Sequence, residues 1–426
     1  MKFLMLFFMC LYIYLTNGFA VTAFNVLLQT ITTDLGWTAT DRAFVSSAFP
    51  TGMVWFMLIG GIMADRFNLK RLMGGLLILL GAVMILRGVV TGVWPYYFVM
   101  FGFGILMALS LPIANKVIPM WFGGGKYFAV AAGFISSSNP LGQITANLFI
   151  VPILGFLGGS WQLLFILQGI LVLVLALFFF IFAKNRTNLE AEFGSELITT
   201  KEDIGLWKNI KEIAKVPQAW LFMIGNFFTL GIVFGGSTQF YTVVQVVPEW
   251  SLTMADAGYI TSFNNFSSMI MYTVAPLLIG RFLAKSYERN YRWIAIIAGV
   301  LCAILFPIGI GSYNMTVICV VYFITGLLFG PFIPAPKILL MKLKQISGPR
   351  AGTAVGMYFT LERIGQTVIG TIIAMSMVGE NTDPVGTLQI VYLFYLVSPI
   401  TMTIAYFLEK RDKKKEAAQA APAAAE

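Results

Sequence analysis

About twelve apolar runs of roughly 20 residues or more, separated by short charged gaps, dictate what this chain can become, because one such run crosses the hydrocarbon core of a bilayer as a helix. They lie near 3–30, 43–64, 70–92, 95–119, 126–154, 160–183, 217–247, 256–283, 291–311, 313–341, 351–378 and 386–408. Lipid offers the backbone no hydrogen-bond partner, so each crossing must pair its own amides and carbonyls. The expected fold class is an all-α polytopic membrane protein with twelve transmembrane helices. Composition agrees: a chain of 426 residues that is 58% hydrophobic and 11% charged could not keep a soluble surface solvated. The first run mimics a signal peptide, but it extends to about Thr30 without a clear small-residue cleavage site and reads as the first span. Prolines interrupt span 4 (Pro112, Pro119) and span 10 (Pro331, Pro334, Pro336).

The net charge of +9 invites a nucleic-acid reading, which the placement of the charges rejects. Lys and Arg collect in alternate loops and in the tail Lys410, Arg411, Lys413, Lys414 and Lys415, whereas the opposite loops carry essentially Arg42. This asymmetry places both termini in the cytoplasm and the protein in the cell membrane. Cys10, Cys302 and Cys319 sit inside apolar runs without metal-type spacing, and the absence of histidine excludes His-based triads and His-ligated metals. No nucleophile–base pair or phosphate loop has usable spacing, so neither an enzyme nor a cofactor is expected.

The longest polar segment, 184–216, splits the chain into an N-terminal bundle (1–183) and a C-terminal bundle (217–409), followed by a tail (410–426) read as disordered. Within the linker, Ile204, Trp207, Ile210 and Ile213 recur at helical spacing, which suits a short helix on the membrane surface. The bundles repeat one another. GWTATDRAFVSSAF after span 1 parallels EWSLTMADAGYITSF after span 7, with Asp41 and Asp256 placed to cap the next helix. LPIANK parallels IPAPK, and GFISSSNPLGQ in span 5 aligns without gaps to GMYFTLERIGQ in span 11, pairing Gly142 with Gly365 and Gln143 with Gln366. Such duplication into pseudo-symmetric six-helix bundles is a mark of secondary transporters, whose sites lie between the halves near midplane.

Span 11 carries the one deep carboxylate, Glu362, directly before Arg363. Ionised groups at that depth usually face a partner or a wet cavity. Adjacent helix positions point about 100° apart, which argues against both facing one way and favours Arg363 toward the cavity. Arg363 would then hold a carboxylate, with Glu362 binding and releasing a proton; alternatively, Glu362 merely neutralises Arg363 within the fold. Asn25, Asn139, Gln143, Gln239, Tyr241, Asn264, Asn265 and Gln366 are further candidate lining residues, with Trp55, Phe240, Tyr272 and Tyr358 as aromatic walls. Lys116 and Lys337 form a candidate cationic pair at the cytoplasmic mouth, with snorkelling to lipid headgroups as the bland alternative. Arg87, about five residues from the loop at Gly92, reads as snorkelling outward.

Gly60-Gly61-Ile-Met-Ala-Asp65-Arg66-Phe-Asn-Leu-Lys70-Arg71 resembles the GxxxDRxGRKx loop of the major facilitator superfamily, with Asn68 and Leu69 where that family prefers Gly and Arg. WFGGGKYFAVAAG (121–133) resembles a turn into span 5 found in its organic-anion branches. GSWQLLF (159–165) is similar to its span 6 entry, with Gln162 in place of Arg. The resemblance implies alternating access of the two bundles, with Gly61, Asp65, Arg66, Lys70 and Arg71 forming a gating latch. The expected function is secondary transport of a small organic anion, a carboxylate first of all, moved with protons or by exchange by a monomer. Two alternatives stay open: transport of an organic cation or amphipathic drug with Glu362 as counter-ion, and a membrane sensor that does not transport.

Overall fold

The structure, a computed structural model, describes residues 2–66, 68–122, 128–183, 206–247, 250, 252–282, 287–343, 345–346, 351–376 and 383–420. The side chains of Asp65, Arg66, Lys116, Trp207, Gln245 and Tyr272, and the surroundings of Gly61, lie outside that description. The linker 184–205 and the stretch 123–127 also lie outside it.

The chain forms twelve helical rods among the described residues. The first half comprises α1 (Lys2–Asp34), α2 (Ala39–Arg66), α3 (Leu69–Arg87), α4 (Val93–Phe122), α5 (Phe128–Phe156) and α6 (Trp161–Phe182). The second comprises α7 (Pro217–Val246), α8 (Met254–Phe282), α9 (Tyr287–Gly311), α10 (Met315–Phe332 and Ala335–Lys342), α11 (Ala351–Ser376) and α12 (Pro384–Leu393, a 3-10 turn Phe394–Leu396, then Val397–Ala420). The prolines of span 4 leave α4 continuous, whereas α10 breaks at Ile333–Pro334. The last rod stays helical to Ala420, past position 410 where the sequence reads as disordered. Its Glu, Lys and Ala residues are strong helix formers.

Eight rods are long and apolar enough among the described residues to cross a membrane on composition alone. The other four are α2, α5, α8 and α11, and these make the main contacts between the halves, α2 against α11 and α5 against α8, with a smaller contact of α1 against α7. Three of them, α5, α8 and α11, bring amide or charged groups to the internal cavity (Asn139, Asn264 and Glu362 among them), which a lipid-facing helix could not carry.

The duplication is visible in backbone packing. A methyl group at Gly142 would lie 2.5 Å from the Tyr14 carbonyl oxygen and 2.8 Å from Gly18 Cα, so α5 crosses α1 backbone to backbone. In the second half α11 crosses α7 the same way, with Gly365 against the Phe227 carbonyl and Gly231 against the Gly365 carbonyl. Tyr14 and Gly18 thus correspond to Phe227 and Gly231 at one constant offset. The entries to α2 and α8 also match. Asp41 and Asp256 are not the N-caps but their reciprocal partners: Thr38 and Thr253 cap, and each Asp accepts from its Thr backbone N–H at 2.9 and 2.7 Å. The Thr hydroxyls in turn accept the Asp N–H at 3.1 and 3.2 Å, closing two capping boxes. Asn68, which departs from the family pattern, caps α3 by accepting from Arg71 N–H at 3.2 Å.

Arg87 corrects the outward reading made from its distance to the loop. It is 0% exposed. Its guanidinium lies 4.3 Å from the Phe165 ring centroid, 5.2 Å from Phe103 and 5.5 Å from Phe24, and donates to the Ala20 carbonyl at 3.3 Å. Three ring faces from α1, α4 and α6 replace headgroup water. The linker segment forms a short helix, Leu206–Ala214; Ile213 is buried and the helix rests on α7 and α11, with Trp220 Nε1 donating to the Ala214 carbonyl at 3.0 Å.

Candidate functional site

Between the halves lies a cavity of about 290 Å³. The first half contributes amides: Asn17 and Asn25 from α1, and Asn139, Gln143 and Asn147 from α5. Asn17 sits in a π-helical stretch of α1, Ile13–Phe19, where Ala20 N–H bonds the carbonyl of Leu15. Such widened turns often occur at functional positions. Asn17, Asn25 and Gln143 spend no side-chain hydrogen bond on the described protein, and the Asn139 Oδ1 has no partner. The second half contributes Tyr241, Asn264, Asn265, Glu362 and Arg363. Asn264 is engaged, donating to the Tyr322 carbonyl at 3.0 Å and the Thr325 hydroxyl at 3.1 Å.

Glu362 and Arg363 both line this cavity, which corrects the expectation that only one could. Their backbones do diverge, but the long side chains converge: Arg363 Nη2 lies 3.5 Å from Glu362 Oε1. Gln366, one turn on, joins them by accepting from Arg363 Nη1 at 2.8 Å while its Nε2 lies 3.5 Å from Glu362 Oε1. Asn226 of α7 donates to Glu362 Oε2 at 3.2 Å. The Arg363 Nε has no partner among the described residues, so the guanidinium, with five N–H donors, is not saturated.

The other candidates separate. Glu362, Asn17 and Asn139 also line a second cavity of about 340 Å³ on the side of the molecule that carries the termini, together with Lys337 and Tyr358. Lys337 Nζ lies 5.4 Å from the Phe359 ring centroid and forms no ion pair among the described residues. Gln239 and Gln366 line a third, smaller cavity of about 60 Å³ between α2 and α11, which Asn25 shares. Phe240 is buried in the core of the second half, edge-on to Trp250 and tilted against Tyr322. Trp55 lines none of the three and is 69% exposed. Five residues past Pro50, it is rotated about 140° from the face that Pro50 turns to the small cavity. Lys116, Gly61, Asp65 and Arg66 lie outside the described side chains, whereas Lys70 is half-buried and Arg71 exposed at the start of α3.

The wall opposite the amides is aromatic. Phe306, Tyr322, Phe329, Tyr392 and Tyr395 of α9, α10 and α12 line the central cavity, with Phe306 and Tyr392 stacked at 4.6 Å. Sequence reasoning missed all five. The one available signal was their spacing, Tyr392 and Tyr395 three apart and Phe329 seven beyond Tyr322, which puts each pair on one helix face.

Away from the termini the halves are closed. An added Cβ at Gly258 of α8 would strike the Asn147 carbonyl of α5. The Tyr241 hydroxyl donates to Asn147 Oδ1 across the interface and lies 2.7 Å from the Thr261 hydroxyl. Tyr241→Phe removes that bond. Interhelical bonds of this kind contribute about 0.6–1.7 kcal/mol, so the closed population should fall roughly three- to twentyfold relative to the open one. Spin labels at Thr33 and Thr316, in a protein with its three cysteines replaced, would report a longer-distance population; an unchanged distribution would show that the bond does not hold the halves together.

Known proteins resemble this chain in sequence and in fold. A probable L-galactonate transporter of Escherichia coli (strain K12) is 23% identical over 320 residues, covering 72% of this chain and 67% of that protein. A hexuronate transporter of Bacillus subtilis (strain 168) is 26% identical over 270 residues, covering 57% of this chain and 60% of the relative, so the chain spans less than two thirds of that relative's length. Among solved structures, a bacterial homolog to the human lysosomal transporter Spinster, in an inward-facing and occupied conformation, superposes with a TM-score of 0.68 at 16% identity. That match covers 95% of this chain and 96% of the other, and shows the fold. The sequence profile of the Major Facilitator Superfamily matches residues 10–370, from the first rod into α11. On that match the chain, an integral membrane protein, belongs to the Major Facilitator Superfamily.

Proposed function

We propose that this protein is a secondary transporter of a small polyhydroxylated carboxylate, a sugar acid, working by alternating access of its two halves. The observation that carries the reading is that Arg363 lines a cavity whose facing wall offers amides without side-chain partners among the described residues. An arginine holds a carboxylate through paired, charge-assisted hydrogen bonds. Asn17, Asn25, Asn139 and Gln143 then offer donors and acceptors to hydroxyl groups, and the aromatic wall packs against the carbon face of the ligand. The two relatives named for sugar acids support the same class.

The lysine and arginine distribution supports a cytoplasmic position for the termini. The cavity lined by Lys337 then faces the cytoplasm, and the contact at Tyr241 and Asn147 closes the outer side. Residues Gly61, Asp65, Arg66, Lys70 and Arg71 would latch the cytoplasmic side when the halves rock the other way.

The aromatic wall also suits an organic cation. Against that reading, Glu362 already lies 3.5 Å from Arg363 and accepts from Asn226, so little negative field is left for a cation.

Purified protein in liposomes should accumulate a radiolabelled aldonate or hexuronate, and unlabelled sugar acid should compete with that uptake where amines do not. Saturable binding without flux would identify a sensor, and competition by amines alone would overturn the anion reading.

A further inference from the structure

Glu362 stands in the partition between two cavities, and each cavity holds one cation: Arg363 lines the central one and Lys337 the one on the terminus side. Among the described residues, no other charged group lines either cavity or the small one beside Gln366. We infer that these three side chains form a charge filter that admits one negative charge per substrate, so that the protein selects monocarboxylates over dicarboxylates of the same size. The inference rests on the sugar-acid reading and deepens it.

Charge is expensive inside the membrane, so the net charge of the site decides what it admits. With all three side chains ionised, the empty group Arg363, Glu362 and Lys337 carries two positive charges and one negative, a net of one positive charge. A monocarboxylate makes the loaded site neutral. A dicarboxylate leaves one negative charge uncompensated inside the membrane, where each unpaired ion carries a large desolvation penalty.

The geometry also says how Glu362 makes room. Its carboxylate contacts Arg363 from the side of Gln366 and Asn226, and Asn226 itself lines the Lys337 cavity. A substrate carboxylate arriving at Arg363 from the central cavity repels Glu362 toward Lys337. There the Lys337 ammonium lies over Phe359 without an ion-pair partner among the described residues. Glu362 therefore exchanges one cation for another instead of being left unpaired, and loading a monoanion needs no proton.

The test compares galactonate, a monoanion, with galactarate, a dianion of the same carbon number, in equilibrium binding to the detergent-purified full chain. The unaltered protein should bind the monoanion about tenfold or more tighter than the dianion. Glu362→Gln raises the net charge of the empty site by one and keeps a group that Asn226 and Gln366 can bond, so the preference should reverse toward the dianion. Lys337→Gln lowers it by one and should weaken both ligands, the dianion more. A dianion preference in the unaltered protein, or an unchanged preference in both variants, overturns the filter while leaving the sugar-acid reading standing. Failure of the unaltered protein to bind either anion overturns the sugar-acid reading itself. If one variant does not fold, the other decides, because the two move the charge in opposite directions.

Discussion

Gly365→Leu is expected to leave little folded protein. A Cβ at that position would collide with the carbonyl oxygen of Phe227 and lie 2.9 Å and 3.0 Å from that residue's carbonyl carbon and Cα. All three are backbone atoms of α7, which no rotamer change can move. Sliding α7 away is blocked in its turn, because Gly231 packs against the Gly365 carbonyl oxygen and the Ile369 side chain. Forced overpacking of a tight crossing costs about 1–3 kcal/mol where neighbours can adjust and more where they cannot. A loss above about 4 kcal/mol exceeds what most single substitutions cause. The same reasoning applies to Gly142→Leu in the first half, since its Cβ would meet the Tyr14 carbonyl and Gly18 Cα. Gly75→Ala and Gly102→Ala are the controls, because nothing lies within 4 Å of either added methyl. Size-exclusion profiles and melting temperatures of the purified variants decide the matter. Monodisperse Gly365→Leu protein melting like the parent would mean that α7 and α11 are not locked at this crossing.

That the two crossings correspond could be read from the chain, because GQ ends both aligned stretches at Gly142–Gln143 and Gly365–Gln366. Their partners could not: Tyr14 and Phe227 meet the glycines through carbonyl oxygens, and such a contact leaves no mark on side-chain identity. The cavity shows the same division. Asn25, Asn139, Gln143, Glu362 and Arg363 stand out because a polar group inside an apolar run needs a partner or water. The aromatic wall did not stand out, because Phe306 and Tyr395 look in sequence like Phe178 and Phe182, which face outward. Among 38 phenylalanines and 16 tyrosines, the rotation of each helix about its axis is the missing coordinate. Arg87 fails for that reason as well. Distance to the nearest loop gives depth, but whether the side chain points to lipid or into the bundle depends on rotation. Trp55 is the converse case, at the right depth on the wrong face.

Arg363→Gln should reduce sugar-acid binding by two orders of magnitude or more while the double variant Glu362→Gln/Arg363→Gln remains folded. Removing one partner of a buried, hydrogen-bonded charge pair typically costs about 2–5 kcal/mol or more, and part of that is the penalty on the partner left behind. Here the partner is Glu362. Without Arg363 it keeps the bond from Asn226 at 3.2 Å and the longer contact with Gln366 at 3.5 Å, and Lys337, across the second cavity and outside ion-pair distance, is the one cation left near it among the described residues. The single variant therefore confounds two losses, the ligand contact and the stability of the pair. The double variant separates them. With both charges gone, the two introduced amides can pair with Asn226 and Gln366 as neutral groups, and replacing a buried ion pair by neutral groups is often tolerated. If Arg363 serves only to neutralise Glu362, the double variant should bind sugar acid as the parent does. If Arg363 is the carboxylate receptor, binding stays lost even though the melting temperature recovers. Arg363→Lys sharpens the distinction: it keeps the charge, and hence the pair, but loses the planar fork that holds a carboxylate in two parallel bonds. A folded Lys variant with weakened binding points to the receptor role, and one with parental affinity points to charge alone.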